Sequence, residues 1–337
     1  MEGRSRKRKL ILFLVILFGG AFLLFSFKTG FTVNQVINWE NAGNILPSSK
    51  KLPELPQDDP ERLNILLLGI RGAEEEGEGK LLSDAIILAS VEKNTSQTAL
   101  ISLPRDIYAT IYCTGEEQKI NFAYAQGGID CAKKTIGYIT GQYIDYAVSV
   151  DFAALTEIVD ALGGIDVYID QPLEENFQWA KEGAEQDEYW SIKEIDGEER
   201  WVFYVPAGEN HLDGKTALYY ARSRYSTNDF DRMRRQQQII TAIKDKAFSL
   251  KILINPIKIF DLLDILGKNI RTDMKLTDIG NLIEMSTQLN FDQVKRKIFD
   301  TSSEGLLYQT FINEEYVLLP TGDDLTRIQA ACQNIFN

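Results

Sequence analysis

Residues Leu10 to Phe27 are eighteen consecutive residues without a charge, and the basic run RSRKRK precedes them. About 18 apolar residues is the least that carries a helix across a bilayer, so this stretch constrains everything after it. The basic end stays on the cytoplasmic side and the rest of the chain is exported. A cleaved leader would have a shorter apolar run ending in a small-x-small site, and LLFSFKTGF offers none. The expectation is a basic cytoplasmic tail at 1–9, a single-pass anchor at 10–27 and an extracytoplasmic body held at the cell membrane.

Export sets the charge problem for that body. Residues 1–30 hold six basic side chains against Glu2, a net of +5, which leaves −18 of the total −13 on residues 31–337. So acidic a body repels a phosphate backbone, which argues against nucleic acid as a partner. The only histidine, His211, sits beside a candidate helix cap at Asp213 and reads as a surface residue. A multi-histidine metal site is excluded, and three cysteines without CxxC spacing exclude zinc-ribbon and iron–sulfur readings. Any chemistry falls to carboxylates, arginines and hydroxyls. Cys113 and Cys131 flank one predicted helix, so they either form a disulfide with Cys332 left over or remain thiols; spacing alone leaves both open.

Four prolines in NILPSSKKLPELPQDDP make 28–60 a linker. LNILLLG, DAIILASVEKN and TALISLP then read as three strands in quick order. KINFAYAQGG switches to helical period and stops at Gly127 and Gly128, and AKKTIGYITG gives a second short helix. YAVSVD reads as a strand, FAALTEIVDALGG as a helix and IDVYID as a strand. This alternation predicts an α/β fold, an αβα layered domain with a central mixed β-sheet. Residues 171–205 are an excursion: ten acids against Lys181 and Lys193 by residue 199 read as a solvated face, and Asp196-Gly197 between two aromatic runs reads as a hairpin turn. A long helix is predicted from about Asp229 to Phe248. The domain is expected to span 61–247, with 248–337 a helical extension packed on it that ends in a strand and helix over YVLLPTGDDLTRIQAACQNIF.

Against the acidic body, RSRYSTNDFDRMRR (222–235) carries five arginines and two aspartates, a net of +3. Arginine in place of lysine suits planar, bidentate capture of phosphate or carboxylate. Arg232, Gln236, Ile240, Ile243 and Ala247 recur along one helix stripe, so a buried Arg232 needs a carboxylate or a bound anion, and Asp229 three residues earlier is one such partner. Arg222 and Arg224 face one side if that stretch is extended. SLPRD places Arg105 and Asp106 just past a strand, and LSDA places Asp84 just before another; ligands commonly bind at such strand ends.

From Leu63 to about Ala247 the chain resembles the LytR-CpsA-Psr family of bacterial cell-wall glycopolymer transferases. NILLLG, SDAIILASV, SLPRD, KINFAYAQGG, VDFAALTEIVDALGGIDV, LDGKTALYYARSR and DFDRMRRQQQ occur in the family's order behind a single anchor. The resemblance implies a phosphotransferase whose donor is a polyprenyl pyrophosphate-linked glycan, whose acceptor is a peptidoglycan sugar hydroxyl and whose leaving group is polyprenyl phosphate, with the prenyl tail in an apolar tunnel. It puts Asp84, Arg105, Arg222 and Arg224 in catalysis and Arg71, Arg232, Asp229, Gln236 and Lys119 in substrate binding, with Asp84 near a magnesium ion. Two departures stand out: the family's first motif carries an acid and then an arginine where this chain has Arg71 and Ala73, and Leu82 replaces a further arginine. Arg71 is therefore expected to clamp phosphate directly. The rival readings are a polyprenyl pyrophosphate hydrolase and a non-catalytic lipid-binding envelope regulator.

Overall fold

The structure, a computed structural model, describes residues 52–72, 79, 81–176, 187–247, 270–275, 277–278 and 294–337. The basic tail, the anchor and most of the linker lie outside these residues, as does the loop from Ala73 to Glu78. Among the described residues no helix is long and apolar enough to cross a membrane. The chain divides into two compact units, Met1–Ala154 with Ile259–Asn337, and Leu155–Lys258.

The first unit opens with the three expected strands, β1 (Arg62–Ile70), β2 (Ser83–Glu92) and β3 (Gln97–Ser102), each antiparallel to the one before. β1 is almost continuously apolar because it is buried on both faces, which is why it reads as a run and not as an alternation. It ends in an irregularity at Gly69 and Ile70, where a Cβ on Gly69 would stand 2.9 Å from Ala85 Cβ. A short hairpin of β4 (Tyr108–Thr110) and β5 (Glu117–Lys119) follows. Helix α1 (Phe122–Thr140) then buries Ala123, Tyr124, Ile136 and Ile139. Gly127 and Gly128 break it as the sequence predicts, Gly128 at φ 61°. Cys113 and Cys131 form the disulfide. A Cβ on Gly127 would lie 2.7 Å from Cys131 Cβ and 3.0 Å from Cys113 Sγ, so glycine there makes room for the bridge. Cys332 stays a buried thiol, its pKa pushed up to about 12 by burial. β6 (Tyr146–Val150) runs parallel to β1, and α2 (Phe152–Ala161) leads into the second unit.

That unit holds β7 (Ile165–Ile169), β8 (Leu173–Glu175), β9 (Trp190–Ile195), β10 (Glu198–Val205), β11 (Gly208–Leu212), α3 (Gly214–Arg222) and α4 (Asp229–Ala247). β8, β10 and β9 make one sheet and β11 and β7 a ribbon. The predicted hairpin turn is present: Asp196 and Gly197 both have positive φ, 55° and 79°, the conformation that matches strand twist in a two-residue loop. Trp190 anchors the sheet against Phe203 and Tyr219, with ring centroids 5.0 and 4.9 Å away. Asp213 caps α3 by accepting from Thr216 N–H at 2.7 Å.

The chain then returns to the first unit and departs from expectation. β12 (Ile270–Thr272) pairs with β6 and β13 (Val294–Ile298) with β3, giving a six-stranded mixed sheet in the order β12-β6-β1-β2-β3-β13. A hairpin of β14 (Leu307–Ile312) and β15 (Glu315–Pro320) and a terminal helix α5 (Thr326–Gln333) complete it, β15 and α5 being the strand and helix expected at the end of the chain. Residues 248–337 are thus no helical extension added to a finished domain, because they supply both edges of the central sheet. The reason for the misreading is local: β12 has three residues, and β13, VKRKI, carries the charges of an edge strand and not an apolar pattern.

Candidate active site

In the first unit, strand ends bring four of the candidate residues together. Arg71 follows β1, Asp84 is the second residue of the adjacent β2, and Arg105 lies beyond β3. Asp84 accepts from Arg71 Nε at 3.3 Å through Oδ2 and from Arg105 Nη1 through Oδ1. Arg105 Nε is 3.6 Å from Asp106 Oδ2, and Lys119, closing β5, places Nζ 3.4 Å from Asp106 Oδ1. The backbone locks this arrangement: Ser83 N–H donates to Asn121 O at 3.1 Å and Asn121 N–H to Arg105 O at 3.3 Å. Asp84 and Arg105 are largely buried, at 16% and 14% side-chain exposure, whereas Arg71 is 42% exposed.

Among the described residues, three cations face two carboxylates here, one cation in surplus. Such a surplus, partly out of water, attracts an anion more strongly than an exposed pair would. It suits magnesium poorly. That ion is held through one or two carboxylates together with substrate phosphates. Both Asp84 oxygens already carry guanidinium groups, and Asp106 is shared between Arg105 and Lys119. Among the described residues no three of His, Cys, Asp and Glu gather at one point. Among the described residues, these two carboxylates as arranged do not fit the ion.

The other candidates lie in the second unit. Arg222 is the last residue of α3 and not part of an extended run, so the strand-based pairing of Arg222 with Arg224 is replaced by a helix end. Ser223, at ψ 134°, turns the chain out of the helix and Arg224 follows, its guanidinium carbon 5.2 Å from the Tyr225 ring centroid. Burial raises the Tyr219 pKa, and the nearby Arg222 charge works against that rise. Arg232 is buried and pairs with Asp229 Oδ1 at 2.8 Å, the ion-pair partner open to it from sequence. Gln236 donates to Ala221 O at 3.4 Å.

Two residues of this region were misjudged from sequence. The buried face of α4 runs through Arg232, Arg235, Ile239, Ala242 and Ile243, so Arg235 and not Gln236 continues the stripe inward. Burial draws the Arg235 pKa down and pushes that of Tyr220 up to about 12. Glu175, grouped with the solvated acids, is only 1% exposed. A three-residue strand, LEE, gives too short a pattern to reveal that its last glutamate points inward. His211 is on β11, with Nδ1 against Asp166.

Comparison with known proteins gives a consistent result. The model of the LytR_cpsA_psr family matches residues 32–334. The polyisoprenyl-teichoic acid–peptidoglycan teichoic acid transferase TagU of Enterococcus faecalis is 29% identical over 292 residues, covering 85% of this chain and 84% of that protein. The transferase TagT of Bacillus subtilis, of the same description, is 27% identical over 329 residues, covering 91% and 94%. Among solved structures, B. subtilis TagV aligns with a TM-score of 0.60 at 24% identity over 82% of this chain and 98% of that one. TagT bound to LIIa-WTA aligns with a TM-score of 0.58 at 24% identity over 84% and 94%. At these identities the structural likeness speaks to the fold.

Proposed function

Because the chain belongs to the LytR_cpsA_psr family, we propose that it is a glycopolymer transferase. It moves a glycan from a polyprenyl pyrophosphate carrier to a hydroxyl of peptidoglycan or another envelope acceptor. The acceptor oxygen attacks the phosphorus that bears the glycan, the bond from that phosphorus to polyprenyl phosphate breaks, and the hydroxyl proton passes to the departing phosphate or to water. Such a reaction needs alignment and charge neutralisation more than a strong protein nucleophile, so a chain with one histidine can perform it.

The observation that carries this reading is the network of Arg71, Arg105 and Lys119 on Asp84 and Asp106, a preformed cationic site at adjacent strand ends. In it, Arg105 and Lys119 are fixed by their carboxylates and Arg71, the most exposed, reaches the phosphates. Asp84 orients both guanidiniums. Arg222, Arg224 and Arg232 serve as anion-binding side chains of the second unit, with Asp229 paired to Arg232 and Gln236 donating to Ala221 O near the end of α3. The anchor at 10–27 holds the body outside the cytoplasmic membrane, where a lipid-linked donor and peptidoglycan are both within reach.

The test is to incubate the full-length chain in detergent with a lipid pyrophosphate-linked glycan, with and without peptidoglycan fragments. Glycan appearing on peptidoglycan with release of polyprenyl phosphate supports transfer. Glycan phosphate released equally fast with water as acceptor replaces it with a hydrolase, and tight binding without turnover replaces it with a lipid-binding regulator.

A further inference from the structure

Glu175 ends β8, pairs with Phe203 of β10 and is almost fully buried. Its Oε2 accepts from three successive backbone amides, those of Arg224, Tyr225 and Ser226, at 3.2, 2.9 and 3.2 Å. Oε1 makes no hydrogen bond among the described residues. All the grip of this carboxylate therefore falls on the loop that follows α3. That loop is otherwise open to solvent, because residues 225–228 are exposed and Tyr225 is 59% exposed.

A second buried charge holds the same segment by its opposite polarity. Arg235, on the inner face of α4, donates through Nε to Tyr220 O at 3.1 Å, and through Nη2 to Ser223 O and to Thr227 Oγ1 at 3.0 Å. The carbonyls at the end of α3 are thus tied to a buried cation and the amides just beyond are tied to a buried anion. Apolar packing could fill this space without removing two charges from water. What it could not do is address the donors and the acceptors of one short backbone segment separately. That device selects a single loop conformation.

We propose that Glu175 and Arg235 are positioning residues that set the directions of the Arg222 and Arg224 guanidiniums. Arg222 and Arg224 bracket Ser223, the residue on which Arg235 pulls, and Arg224 contributes the first of the amides that Glu175 holds. Both positioning residues are buried. The claim rests on the reading that Arg222 and Arg224 bind the donor's phosphates, and it adds that their geometry is imposed from beneath. A guanidinium on a slack loop keeps its charge but loses its aim, and a misplacement of about 1 Å in a transfer site is worth on the order of a hundredfold in rate.

The experiment uses the full-length chain in detergent with four variants: Glu175→Gln, Arg224→Ala, their combination, and Glu174→Gln as a control at the exposed neighbour that pairs with Lys193. Glu175→Gln keeps the shape of the side chain and removes its charge. Its kcat for transfer should fall roughly 30- to 100-fold with KM changed less than about threefold, while Glu174→Gln keeps the wild-type rate. Because the amides that Glu175 holds begin at Arg224, while the end of α3 that carries Arg222 is held by Arg235, the double variant should be little slower than Arg224→Ala alone, and hydrogen exchange over 223–227 should accelerate in Glu175→Gln. Additive losses in the double variant, or unchanged kcat and exchange in Glu175→Gln, overturn the proposal. Wild-type protein that transfers nothing overturns the functional reading instead, and exchange over 223–227 then judges the clamp alone. Should Glu175→Gln not fold, the wild-type amides of Tyr225 and Ser226 decide: exchange as fast as in an unstructured peptide refutes the clamp.

Discussion

Arg105→Ala is the sharpest test of the cationic site. Arg105 bridges Asp84 and Asp106 and is only 14% exposed. Among the described residues its removal leaves two cations against two carboxylates, which weakens the attraction for a diphosphate. A unit charge about 4 Å from a phosphoryl oxygen, at an effective dielectric near 20, is worth about 4 kcal/mol. That corresponds to a loss in kcat/KM of roughly 10²- to 10³-fold, the range seen when one preorganised electrostatic donor is removed from an active site. Arg105→Lys retains the charge but cannot fork between two carboxylates, so its loss should be intermediate. The assay is the initial rate of transfer by the full-length chain, with thermal unfolding and calorimetric binding of inorganic pyrophosphate measured in parallel. A folded Arg105→Ala protein whose kcat/KM stays within about threefold of wild type refutes the argument. So does a variant that loses stability but binds pyrophosphate undiminished.

Other consequences follow from the same geometry. Since guanidiniums occupy Asp84 on both oxygens, chelating divalent cations should change pyrophosphate affinity by less than about threefold; a strict magnesium requirement in calorimetry would contradict that assignment. The Cys113–Cys131 bridge closes 18 residues, and chain entropy puts the stabilisation from such a loop near 3 kcal/mol. Cys113→Ser should therefore lower the denaturant midpoint clearly while leaving kcat unchanged, and an equal midpoint would dismiss the bridge as a stabilising element. The Asp166 carboxyl is held below its ordinary value by its hydrogen bond to His211 and then by Lys246. A depressed carboxylate pKa contributes stability that is present above the unfolded value and lost as pH falls through the folded one. The melting temperature of Asp166→Asn should accordingly vary less than that of wild type as acid is added below the ordinary aspartate value of 3.8, and parallel curves would remove this pair from the acid response.

How much of this was legible beforehand depended on how local the signal was. The first three strands, the break at Gly127-Gly128, the Asp213 cap and the Asp196-Gly197 turn were all readable, because each is written in consecutive residues by periodicity or by φ preference. Asp84 and Arg105 could be flagged as strand-end residues and Arg71 by the family resemblance, but not that both arginines share the Asp84 carboxylate, which depends on the register of β1 against β2. The tail strands β12 and β13 were missed because short, charged edge strands acquire their identity only from the strands they join. Glu175 was assigned to the solvent because its neighbours are acidic, and only β8 pairing with β10 turns it inward.

Amino-acid order alone was enough for an apolar stretch fit to span a bilayer, an acidic body whose charge argues against nucleic acid, a patch of arginines set against that acidity, and an alternation of strands and helices. These are additive properties of nearby residues, and solvent reads them without needing the fold. Tertiary structure decided which cysteines join, which carboxylate each guanidinium meets, and that Glu175 and Arg235 grip one loop from within. Those are pairings across tens of residues, and hydrogen bonds only a few ångströms long exist only after the backbone has brought their partners together.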